Sequence, residues 1–196
     1  MDILADIQRE WDLAETTIKR SEQVANDVVI PAINELRYAG RRIIDALNAA
    51  QLPDHEVKVA AYLEDARFNC HRARHDAMDA ALDIIARDFD NLTKRLGYDA
   101  VTRAYPGFSA LYADFAIARS KIAASRGDRE NRDAIYKSIE QVDFPGIADR
   151  YAALLTCKPI ALSFAAKTRA QRIGFWVMFA VAVSSLAFAA ANFLQN

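Results

Sequence analysis

The chain has 196 residues, 53% hydrophobic and 26% charged, with a formal net charge of −1. Six glycines and five prolines leave no room for a Ser/Gly-rich tether or a low-complexity linker, and the acidic balance of the first 149 residues argues against bulk phosphate binding. Cys70 and Cys157 lie far apart in no metal-type spacing, so two reduced thiols are expected.

Helical periodicity runs through the whole chain. The first helix is predicted over about 2–28, with Ile3, Ile7, Trp11, Ala14, Ile18, Ala25 and Val28 on one side. Pro31 marks a kink or break. A second segment, 32–50, presents Ile33, Leu36, Gly40, Ile43 and Leu47. Leu52-Pro53-Asp54 is a turn, with Asp54 a cap for the next helix.

That helix is long, about 54–96. Its stripe runs Glu64, Phe68, His71, His75, Met78, Leu82, Ile85, Phe89, Leu92, Leu96, so the seam expected to face the core turns polar in its N-terminal half. Gly97 suits the stop. A fourth helix covers 98–125, interrupted at Pro106-Gly107, with Val101, Tyr105, Phe108, Leu111, Phe115 and Ile122 inward. A fifth, 128–157, carries Ile135, Ile139, Val142, Ile147, Tyr151 and Leu154, kinked at Pro145-Gly146. No period-two, β-branched run occurs. The fold class is all-α: a cytoplasmic bundle of long helices over 1–157, a basic juxtamembrane helix over 158–172, and one C-terminal transmembrane helix over 173–194.

Residues 173–194 read IGFWVMFAVAVSSLAFAAANFL, uncharged for 22 residues. That is roughly 33 Å of helix, enough to cross a hydrocarbon core of about 30 Å. Residues 150–196 hold five basic side chains, Lys167, Arg169 and Arg172 among them, and no acidic ones. Such a collar favours the cytoplasmic side and an anionic leaflet. The expectation is a tail-anchored, single-pass protein of the inner membrane, its bundle in the cytoplasm and the lipid bilayer its partner. Ala180, Ser184, Ala187 and Ala191 form a small-residue stripe on which the spans can self-associate.

The chemistry, if any, centres on the polar half of the long helix. Arg67, His71, Arg74 and His75 are the candidate catalytic residues. Four readings stay open. His71 and His75 could chelate a metal with Glu64, Asp79 or Cys70 as third ligand. A histidine could move a proton while an arginine steadies a phosphorane. The patch could bind an anionic ligand or an acidic helix. It could also be a polar layer that fixes helix register, with Glu35, Arg37, Arg41 and Asp45 as partners, since unpaired buried polar groups cost about 1–3 kcal/mol each. The sequence has no HExxH, P-loop, GxGxxG, nucleophile elbow or CxxC, so no metal or cofactor is expected.

The pairing of Ile33-Asn34-Glu35-Leu36-Arg37-Tyr38-Ala39-Gly40-Arg41-Arg42 with Arg67-Phe68-Asn69-Cys70-His71-Arg72-Ala73 resembles HEPN-type helical domains, over about residues 30–125. The resemblance implies a four- to five-helix bundle of bacterial defence systems. Many such domains are dimeric, metal-independent ribonucleases with four to six residues between arginine and histidine. Arg67 to His71 leaves three and Arg67 to His75 leaves seven. The reading is therefore a membrane effector or accessory protein of antiviral defence, self-associating and acting on the membrane by perturbing or perforating it. The rival is a membrane-tethered HEPN-like ribonuclease with RNA as substrate. A third option is a passive scaffold for a cytoplasmic protein partner.

Overall fold

The structure is a computed structural model that describes residues 3–128 and 130–195, with side chains described through residue 185 on the last helix. Among the described residues eight α-helices follow one another: α1 (Ile3–Ala25), α2 (Ile30–Ala49), α3 (Glu56–Leu96), α4 (Tyr98–Ala104), α5 (Phe108–Ser125), α6 (Arg132–Ser138), α7 (Phe144–Thr156) and α8 (Lys158–Gln195). A π-helical turn, Ile139–Asp143, joins α6 to α7. No strand occurs among the described residues. Pro31 opens α2 instead of breaking a helix, because proline's missing N–H costs nothing in the first turn. Asp54 is not a cap: it sits in the connecting turn at φ +54°, and α3 starts at Glu56.

The transmembrane expectation is corrected. Among the described residues no helix is long and apolar enough to cross a membrane. The first half of α8 carries Lys158, Lys167, Arg169 and Arg172. The uncharged stretch begins at Ile173, and its side chains are described through residue 185. Ala180 and Ser184 lie on this stretch, the Ser184 hydroxyl turned back to the Ala180 carbonyl at 2.8 Å. Ala187 and Ala191 lie outside the residues whose side chains are described. The tail-anchored layout and the single-pass inner-membrane placement fall with the span.

Two compact units are present. The first comprises 1–90 and 110–153. In it α1, α2 and the N-terminal half of α3 pack through small side chains: Ala14, Ala32, Ala73 and Ala77 are fully buried around Ile18 and Val29, and Ala46 and Ala66 pack with Ile7 and Leu63. The larger core lies further along α3, where Phe89 meets Phe115 edge-on at 5.1 Å and Tyr151 at 6.2 Å.

The helix faces differ from the expected ones at three places. On α3 the buried seam of the N-terminal half is Leu63, Ala66, Cys70, Ala73 and Ala77, while Phe68 is 60% exposed. On α2 the alanines 32, 39, 46 and 49 turn inward, and Ile33 and Leu47 face out. Near α7 the inward series steps from Ile139 to Phe144 to Ile147, leaving Val142 exposed. The step of five is the extra residue that a π turn inserts.

The second unit comprises 91–109 and 154–196. Here α4 packs on α8, Arg103 stacks over the Phe164 ring at 4.7 Å, and Tyr98 packs edge-on to Phe108. Gly97 adopts φ +85°, a conformation that turns the chain from α3 into α4 and disfavours side chains.

Candidate functional site

The histidines at 71 and 75 do face a polar layer, and its other members come from α1, α6 and the π turn, not from α2. Arg74 is its centre and is only 5% exposed. One guanidinium nitrogen donates to Glu10 Oε2 at 2.7 Å and the other to Glu140. Thr17 also donates to Glu140. Burial alone would weaken the Arg74 proton's hold, but the Glu140 hydrogen bond and the charges of Glu140, Glu10 and Asp133 outweigh it and raise its pKa.

His71, with Nδ1 protonated, donates to Asp133 Oδ1 at 2.7 Å and lies 3.8 Å from Glu10 Oε2. His75 Nε2 stands 3.5 Å from the same Asp133 oxygen, without a hydrogen bond. Its ring stacks on Tyr136 at 3.8 Å, whose hydroxyl donates to Asp79 at 2.7 Å. The hydrogen bond from His71, then the contact from His75, holds the Asp133 carboxyl well below the usual carboxylate range against the opposing effect of burial. Burial pushes the Asp79 carboxyl up, partly relieved by Tyr136 and Arg126. It pushes the Tyr136 phenol up as well, helped by Asp79.

The expected partners on α2 are engaged elsewhere. Glu35 takes Arg72 at 2.9 Å, and Arg41 pairs with Asp45 at 3.1 Å one turn along its own helix. Arg67 is not part of the layer: it forks onto Glu64 on the exposed side of α3. His55 closes the turn before α3, Nδ1 2.7 Å from the Leu52 carbonyl oxygen. So Arg74, His71 and His75 are brought together and Arg67 is left out.

Sequence reasoning missed Glu10, Asp133 and Glu140. Glu10 was detectable, because Ile7-Glu10-Ala14-Thr17-Ser21 keeps three- and four-residue spacing and all five are buried. Glu140 was not, since the π turn that aims it has no sequence signal.

Chemically the layer is crowded with carboxylates and has one buried cation already shared between two of them. Among the described residues no group of three or more His, Cys, Asp or Glu side chains is placed to hold a metal ion. Burial pushes the Cys70 thiol up to about 12, so it is not a nucleophile at neutral pH. Beside the layer, α3 and α5 border a groove of about 440 Å³, where Arg119 faces Asp83 at 3.5 Å and Arg126 faces Asp79 at 4.0 Å. The remaining predicted residues, Lys167, Arg169 and Arg172, sit on α8 in the other unit, all exposed.

No protein-family model, curated protein or solved structure matches the chain.

Proposed function

We propose that the protein is a non-enzymatic helical accessory or effector protein that works by self-association, with α2 as the contact. The observation that carries this is the outward face of α2. Ile30, Ile33, Ile44 and Leu47 are 57%, 41%, 54% and 64% exposed and share one side of the helix, with Arg37 between them, while Gly40 lies against the Trp11 ring, which a Cβ there would meet at 3.6 Å. The pattern reads the same in both directions. Two copies of α2 crossing antiparallel about a twofold axis set Ile30 against Leu47 and Ile33 against Ile44. An isologous interface requires this self-complementarity.

Completing the burial of eight half-exposed aliphatic side chains supplies roughly 8 kcal/mol. Association itself costs about 4–15 kcal/mol. The two are of similar size, so the proposed dimer is concentration-dependent and not permanent. The defence setting rests on the HEPN resemblance of the α2 and α3 segments.

Weighing against RNA cleavage at the layer is the commitment of its arginine. Arg74 is buried between Glu10 and Glu140, and Glu10 and Asp133 crowd His71, so a phosphate would meet carboxylates before any free cation.

Sedimentation equilibrium of the full chain across a wide concentration range tests the proposal, alongside the Ile33→Lys/Ile44→Lys variant. A dimer in the parent that turns monomeric in the variant, with helicity unchanged, supports it. A parent that stays monomeric at the highest concentration, or a variant that dimerises equally, overturns it. RNA turnover lost on His71→Ala would transfer the reading to the ribonuclease.

A further inference from the structure

The two units differ in charge. Residues 91–109 and 154–196 hold seven lysines and arginines and one acid, Asp99, whereas the first unit is net acidic. Within the basic unit, the end of α3, the start of α4 and the first half of α8 border an open cavity of about 800 Å³. Arg95, Arg169 and Arg172 line it, with Leu162 and Ile173 among its apolar walls, and Asp99 as its acid. Among the described residues none of the three guanidiniums has a carboxylate within ion-pair reach. The contrast with Arg74, which is doubly neutralised, is direct.

Immediately beyond Arg172 the helix becomes apolar and stays exposed. Ile173, Phe175, Trp176, Met178 and Phe179 are 57%, 63%, 60%, 75% and 51% exposed. Uncommitted guanidiniums followed at once by bare aromatic and aliphatic side chains are what an anionic amphiphile recognises: forked donors for a phosphate, apolar surface for the chain beneath it.

We infer that this face of α4 and α8 docks on an anionic phospholipid surface, Arg95, Arg169 and Arg172 taking headgroup phosphates and the side chains from Ile173 onward entering the boundary between headgroups and acyl chains. The contact is with one face of a leaflet and involves no crossing helix. Charge complementarity selects the occupant, because the cavity's cations exceed its acids by three to one. A water-soluble phosphate would leave the apolar stretch in water, and a protein partner would need to supply both an acidic patch and an apolar groove.

The test uses the full chain with Trp11→Phe, so that emission reports Trp176. It is mixed with vesicles of phosphatidylcholine alone, or of phosphatidylcholine with phosphatidylglycerol, and separately with inorganic phosphate. The expected result is co-flotation and a blue shift only with the phosphatidylglycerol vesicles, weakening as salt rises. The Arg95→Gln/Arg169→Gln/Arg172→Gln variant loses about 100-fold in vesicle affinity, at about fivefold per arginine. Helicity reports whether the variant is folded, and Trp176→Ser, which leaves the cations in place, gives a second loss of binding. Equal binding to both vesicle types, or an unchanged affinity in the triple variant, overturns the inference. So does inorganic phosphate displacing the protein from vesicles at low concentration, which would identify a free-phosphate site.

Discussion

Replacing Arg74 with methionine isolates the energetics of the polar layer. The side chain is 5% exposed, and its two partners have side chains only 10% and 15% exposed. Methionine fills most of the volume but strands Glu10 and Glu140 without a cation. Breaking a buried pair from one side costs about 3–5 kcal/mol. Against a total stability of about 5–15 kcal/mol this is a large fraction. For a chain of this size each kcal/mol moves Tm by about 2–4 °C, so a fall of about 6–20 °C is expected.

The cost belongs to the stranded carboxylates and not to the missing guanidinium. Arg74→Met combined with Glu10→Gln and Glu140→Gln should therefore recover more than half of the loss, since neutral amides are far cheaper to bury. Urea unfolding followed by circular dichroism measures all three species under one extrapolation. A single variant that loses less than about 1 kcal/mol would show that water already screens the layer. A triple variant no better than the single one would mean that the arginine contributes by packing alone.

Asp133→Asn tests the histidine clamp through pH. The folded carboxyl sits below its ordinary value, near 4, so its contribution is complete above that value and is lost as pH falls through the lower folded one. The stability gap between parent and variant should be present at neutral pH and close in acid. It should stay under about 1 kcal/mol, because half of the Asp133 side chain is exposed. A gap that widens on acidification refutes the clamp. Thiol labelling with a disulfide reagent separates the cysteines: Cys157 reacts with the folded protein, while Cys70, fully buried, reacts only at the rate of opening. Two equal fast phases would contradict the burial of the α3 seam.

Much of the architecture was legible because bulky side chains carry the periodic signal. Phe108, Leu111, Phe115 and Ile122 were expected inward and are buried, as are Met78, Leu82, Ile85 and Phe89. Where alanine does the packing the signal inverts. Ala66, Ala73 and Ala77 let helices approach closely, so the larger Phe68, Ile33 and Leu47 are left on the outside. Hydrophobicity ranks phenylalanine above alanine, but close approach of helices selects small side chains. The candidate site was half legible for a different reason. The pair at His71 and His75 is a local spacing and reads directly. Their acids arrive from 61 residues upstream and 62 downstream, and one of the layer's carboxylates depends on a π turn.

The end of the chain shows how the same residues support two arguments. The 22 uncharged residues from Ile173 read as a span on length alone. Placing the side chains shifts the weight to what precedes that stretch. Arg169 and Arg172 share a cavity with Arg95, a residue from the far end of another helix and more than seventy positions away. A collar read from sequence is a row of charges beside an anchor. Three guanidiniums converging on one cavity, with no carboxylate paired to them, can select among anions. The turn at Gly97 leads from α3 into α4, which packs on α8 and lines the same cavity. The proposed docking therefore rests on where these three guanidiniums are placed, and not on the length of the apolar run.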